Sequence, residues 1–175
     1  MSAEFVVIQG GAQLKQRRAL AALGADHPDP TTLAAHIATI TTLLDTLRTL
    51  EVNMYFTVYD AVLGRLLIAA GQTEQARNHL DTALRLAQET GMCFYNAELF
   101  RLRAYTHTDL DARRADLSAA LALARRQGAM LFELRAALDD FELRGESARG
   151  PSRSCQSLPD TRCVAGTRAG PRRPR

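Results

Sequence analysis

Tryptophan is missing from this 175-residue chain, and aromatic residues make up only 6% of it. β-Branched residues are also few beside the abundance of Ala, Leu and Arg, so the composition disfavours strands and points to an all-α fold. Cysteine is scarce. Cys93 falls in an apolar helical stretch, Cys155 and Cys163 fall near the C-terminus, and neither their number nor their spacing makes a disulfide framework or a zinc site. A reducing, cytoplasmic setting is the simplest expectation. No long apolar run follows a basic N-terminal segment, because Phe5 to Ile8 is interrupted by Gln9, Gly10 and Gly11, so no signal peptide is expected. No stretch approaches the roughly 18 uninterrupted apolar residues of a membrane-spanning helix, which excludes a membrane partner. A phosphate-binding Gly-x-x-x-x-Gly-Lys loop is lacking too, since Gly10 and Gly11 have no following Lys with Ser or Thr.

The 46% hydrophobic content suffices for one core and leaves no room for a second, catalytic domain. The net charge of +3 is unevenly spread: residues 145–175 hold seven Arg against Glu146 and Asp160, or +5, which leaves about −2 for residues 1–144. The basic end is rich in Gly, Pro, Ser and Arg, with hardly any large apolar residue to offset the entropy of ordering it. It reads as a disordered tail, attracting nucleic acid only nonspecifically through its scattered Arg.

Between the two ends, the pattern is helical throughout. Leu33, Ile37, Ile40, Leu44 and Leu47 advance by alternating steps of four and three, one stripe of a helix over 31–50 that Asp29 and Pro30 start. A second helix is expected over 53–70, stopped by Gly71. A third, capped by Thr73, carries Ala76, Leu80, Ala83, Leu84 and Ala87 to a stop at Gly91. Cys93, Ala97, Phe100 and Ala104 form the next face. After a polar turn capped by Asp109 and Asp111 comes a helix with Leu117, Ala120, Leu121 and Ala124, ending near Gly128. Leu131, Leu134, Leu138 and Phe141 mark a last helix before Gly145. The segment before Asp26 reads as helix from Ala19, Leu20 and Leu23, despite Gly10 and Gly11. Three divisions follow: an N-terminal helical segment over 1–28, a repeat domain over 29–144, and the tail over 145–175.

The set Leu80, Ala83, Leu84, Leu86, Ala87 and Gly91 recurs 37 residues later as Leu117, Ala120, Leu121, Leu123, Ala124 and Gly128. A repeat of this length marks helical hairpins that bury their apolar faces on one another. Leu63, Gly64, Leu67, Gly71, Ala76, Leu80 and Ala83 stand at the signature spacing of a tetratricopeptide repeat, and on these residues the chain resembles that family. It departs from the pattern at Asp60, where the family has Trp, at Gln88, where Pro is usual, and at Arg113 in the second copy, where a small residue is usual. The longer period over roughly residues 30–144 looks like the C-terminal helical repeats of large bacterial ATP-dependent regulators, the LuxR-type transcription activators and cyclase-linked ATPases. The resemblance implies an α-solenoid of stacked hairpins, acting as a sensing or docking platform without the ATPase module.

No residue set suggests catalysis. His27, His36, His79 and His107 pair with no other ligand at metal-binding spacing, and His79 reads as a surface or groove side chain. Asp109 and Asp111 serve as helix caps, and Ser147, Ser152 and Ser154 fall in a tail that holds no base. No cofactor, no metal and no enzymatic activity are expected. In the family that is resembled, the first helix of each hairpin lines a concave groove, which makes Asn53, Tyr55, Tyr59 and Arg65 candidate contacts for a protein or peptide ligand. The aromatics among them serve equally well as filling between helices. The leading expectation is a protein-interaction module. A small-effector-sensing domain and a nonfunctional remnant of a larger gene are the alternatives. The oligomeric state leaves no mark in the sequence.

Overall fold

A computed structural model of the chain describes residues 14–19, 21, 29–49 and 56–149, with side chains through Gly145. Most of the expected N-terminal segment, Asn53, Tyr55 and the expected tail beyond residue 149 lie outside the described residues. Residues 14–19 are helical, and Ala19 is buried in the core. All regular structure among the described residues is helical, as the composition requires.

Asp29 opens α1 (Pro30–Thr49). Its Oδ2 accepts hydrogen bonds from the backbone N–H and the hydroxyl of Thr32, both at 2.8 Å. Threonine is a poor helix former, yet α1 is rich in it. Thr39, Thr42, Thr46 and Thr49 keep to the helix by donating their hydroxyls to the carbonyls four residues earlier, at 2.8 to 2.9 Å. α2 (Phe56–Ala69) follows and is buried around nearly its whole circumference. It ends at Gly71, whose φ of +73° lets the N–H of Gln72 reach back to the Leu67 carbonyl at 2.9 Å.

α3 (Thr73–Thr90) starts differently from the expectation. Gln72 occupies the cap position, no side chain caps the helix, and Thr73 is already its first residue. Gly91 closes α3 in the left-handed conformation. A short 3₁₀ turn (Cys93–Tyr95) leads into α4 (Asn96–Ala104). Asp109 then caps α5 (Leu110–Gln127), accepting from the Ala112 N–H at 2.9 Å, and Gly128 ends it. α6 (Met130–Arg149) runs through Gly145, where a stop was expected.

Each helix packs against the next in sequence, and α2 also meets α4, as α4 meets α6. The apolar core is correspondingly serial. One cluster joins α1 to α2 through Ile40, Leu44, Leu63 and Leu66. The next joins Ala61 to Leu80, Ala83 and Leu84 of α3 and to Leu99 and Leu102 of α4. The last joins Ala104, Leu117 and Leu143 of α4, α5 and α6. Of the small residues of the repeat signature, Ala76 and Ala83 are buried, and Gly64 lies at a close approach of α2 and α3, where an added Cβ would meet Leu80 Cδ2 at 2.7 Å. Leu117 and Ala120 of the second copy are buried as well, and Leu121 is half-buried. On α6, Ala136 and Leu143 are buried, Phe132 packs edge-on against Tyr95 at 4.8 Å between ring centroids, and Asp139 turns in to Arg101. The stripe of Leu131, Leu134, Leu138 and Phe141 faces outward, with Phe141 75% exposed.

Candidate functional site

Three carboxylates sit where side chains of this kind are rarely found: Asp60 at 1% exposure, Glu98 at 2% and Asp116 at 6%. Each is held by cations from other positions in the stack of helices. Glu98 on α4 accepts from Arg101 Nε and Nη2 at 2.8 and 2.9 Å, and Arg135 of α6 approaches it at 3.5 Å. Asp116 on α5 takes a two-pronged contact from Arg103 at 2.6 and 2.8 Å and lies 2.9 Å from His107 Nε2. Arg77 of α3 reaches across to the carbonyl and hydroxyl of Thr106. Charges buried in this way must be paired, since an uncompensated one would be strongly destabilising. They tie neighbouring helices together at fixed positions.

The same network shapes the surface between α2 and α4. Arg65, Ile68 and Ala69 of α2 face Arg101, Leu102 and Tyr105 across an open cleft of about 270 Å³. Arg101 is fully committed: besides Glu98, its Nη1 donates to Asp139 Oδ2 at 2.7 Å. Burial works against its charge, and the hydrogen bonds and attraction of Glu98 and Asp139 more than offset this, so its proton is held more tightly than usual. Tyr105 lies beside it, with the Arg101 guanidinium 5.8 Å from the ring centroid. Burial first, and then its hydrogen bond to Asp139, raise the Tyr105 hydroxyl pKa to about 12. It remains neutral at physiological pH and presents a phenol to the cleft. Arg65 is different. It is half-buried and makes no ion pair with any of the described residues, so it brings an uncompensated positive charge to the cleft.

Of the four expected groove contacts, Arg65 stands in the cleft between α2 and α4. Tyr59 is 5% exposed and packs in the α1–α2 core with Val62, Leu63 and Leu66, which is the filling role open to it from the sequence. Asn53 and Tyr55 lie outside the described residues. Arg101, Leu102 and Tyr105 had no mark in the sequence as cleft residues. The weak signal was their position on or just after the apolar helical face of Cys93, Ala97, Phe100 and Ala104.

A second arrangement that sequence reasoning missed surrounds Asp60. Its Oδ1 accepts from Arg48 Nη2 of α1 at 3.2 Å, and His79 Nε2 of α3 lies at the same distance without hydrogen-bonding alignment. His79 is thus mostly covered by its neighbours instead of lying on the surface. Thr57, one turn before Asp60, is buried with a hydroxyl that has no hydrogen-bond partner among the described residues.

No family model, curated protein or solved structure matches the chain. Among the described residues no helix is long and apolar enough to cross a membrane.

Proposed function

We propose that the chain is a non-catalytic protein-interaction module, with hairpins stacked in the manner of tetratricopeptide repeats and the α2–α4 cleft receiving a peptide or helix that carries an acidic side chain. The stacked arrangement is supported by Gly64 at the close approach of α2 and α3, by the packing of α2 on α4 and of α4 on α6, and by the serial core. The observation that carries the site is Arg65, a cation with no ion pair among the described residues, beside the apolar Ile68 and Leu102. Such a cleft offers an acidic residue a counter-charge and its neighbours an apolar floor, while the Tyr105 ring adds an aromatic edge, its hydroxyl being donated to Asp139. The proposal extends to a cytoplasmic, cofactor-free regulatory role, of the kind that such repeats have in large ATP-dependent transcription activators. Its support there is the repeat signature and the 37-residue period.

Panning a displayed peptide library against the full chain tests the reading. Peptides with an acidic residue flanked by apolar ones are expected to be enriched, and Arg65→Glu is expected to weaken them by about tenfold or more, as reversing one charge in an interface does. A library that enriches nothing, or peptides that bind Arg65→Glu as well as the parent, would overturn it.

A further inference from the structure

At the opposite end of α2 from the cleft, α1, α2 and α3 leave a cavity of about 170 Å³ between them. It exists because α3 presents Ala83 and Ala87, one turn apart, where larger side chains would fill the space. Phe56, Leu86 and Met92 complete an apolar wall. The floor is polar: Arg48 and Asp60 line it as a pair at 3.2 Å, and Thr57 contributes the buried hydroxyl that lacks a partner. A buried hydroxyl with nothing to bond to is costly to leave unmade, and it marks a place where a polar group is missing.

We propose that this cavity is a binding site for a small neutral amphiphile, an alcohol or phenol whose apolar body is about one ring in size. The volume sets the size, because an apolar cavity of about 150 Å³ admits benzene. The floor sets the charge. A cationic head would lie beside Arg48 and an anionic head beside Asp60, whereas the two cancel for a neutral hydroxyl that bonds to Thr57 and to the carboxylate. Few, converging polar groups in an apolar pocket are the usual composition of a small-molecule site. The site is independent of the α2–α4 cleft. It uses residues 56–60 of α2, and the cleft uses residues 65–69, so either can fail without the other.

The test is a titration of the full chain, followed by NMR and by thermal melting, with phenol and cyclohexanol against toluene, benzoate and benzylamine. Phenol and cyclohexanol are expected to bind saturably and to raise the melting temperature, with benzoate and benzylamine at least tenfold weaker. Thr57→Val keeps the shape and removes the hydroxyl. It is expected to weaken phenol by about tenfold, the equivalent of one hydrogen bond, and to leave toluene unchanged. Thr90→Trp, at the exposed rim where folding is unaffected, is expected to weaken phenol and toluene alike. The proposal is overturned by the absence of saturable binding of either neutral probe, by charged probes binding equally well, or by wild-type phenol affinity in Thr57→Val, which would mean that water alone satisfies that hydroxyl.

Discussion

Single residues in this molecule matter chiefly through charge placed where water cannot reach it. Glu98 is the clearest case, because Arg101 and Arg135 both depend on it and Arg101 retains only Asp139 without it. Glu98→Gln should cost about 2 kcal/mol, below the 3 to 5 of a buried pair broken outright because Asp139 remains. Glu89→Gln, in the exposed i,i+4 pair with Arg85, should stay within about 0.5 kcal/mol. Denaturant midpoints compare the two, and equal losses would refute the idea that burial sets the difference. Tyr105 carries a pH dependence. Its pKa is raised from 10.0 to about 12 in the folded chain, so folding favours the protonated phenol. The stability it supplies is complete below pH 10 and is lost as the pH climbs from 10 through 12. Unfolding midpoints across that window should fall more steeply for the parent than for Tyr105→Phe. The ion pairs made between helices were not legible in the sequence. Asp60 meets Arg48 from twelve residues earlier and His79 from nineteen later, on two other helices, and a pairing made by tertiary packing leaves no periodic trace.

At the level of the helices, much more could be read in advance, because starts, stops and close approaches are decided locally. Asp29, Asp109, Gly71, Gly91 and Gly128 each do what their chemistry implies at a helix end. Thr73 does not, since the helix begins one residue earlier than expected: Gln72 takes the cap position, its carbonyl accepts from the Ala76 N–H, and Thr73 is already the first helical residue. Gly145 does not stop α6 either; a glycine lowers helix propensity without forbidding a helix. The 37-residue period aligns Leu80 and Ala83 of α3 with Leu117 and Ala120 of α5, and all four are buried. Gly64 is where helix propensity and packing oppose each other. Alanine there gains roughly 1 kcal/mol of helix propensity, but its Cβ meets the fully buried Leu80 at 2.7 Å and forces the α2–α3 pair apart. With overpacking at about 1 to 3 kcal/mol, Gly64→Ala should lose about 1 kcal/mol net. Gly64→Val, larger and β-branched, should lose more. A thermal melt in which Gly64→Ala equals or exceeds the parent would mean that Leu80 shifts freely and that the close approach is not a constraint.

For the molecule as a whole, the question is where the serial core ends. Periodicity identified Leu131, Leu134, Leu138 and Phe141 as one face of a helix, and it could not say what that face would meet. The residues that pack include Ala136 and Leu143, on the opposite side, and Phe132, which meets Tyr95, with Leu143 joining Ala104 and Leu117 in one cluster. A helix in the middle of such a stack buries two faces, as α2 does, and α6 buries one. Stability should therefore divide sharply along this one helix. Leu143→Ala removes side-chain volume from a closed cluster and should cost about 3 kcal/mol, the usual range for leucine truncated in a core. Leu138→Ala, one turn and a little more away on the exposed face, should change stability by less than about 0.5 kcal/mol. Chemical unfolding of the two variants decides between the alternatives. A large loss at Leu138 would mean that its face is covered in solution and that the core continues past α6, while a large loss at Leu143 alone puts the end of the packed core at α6 itself.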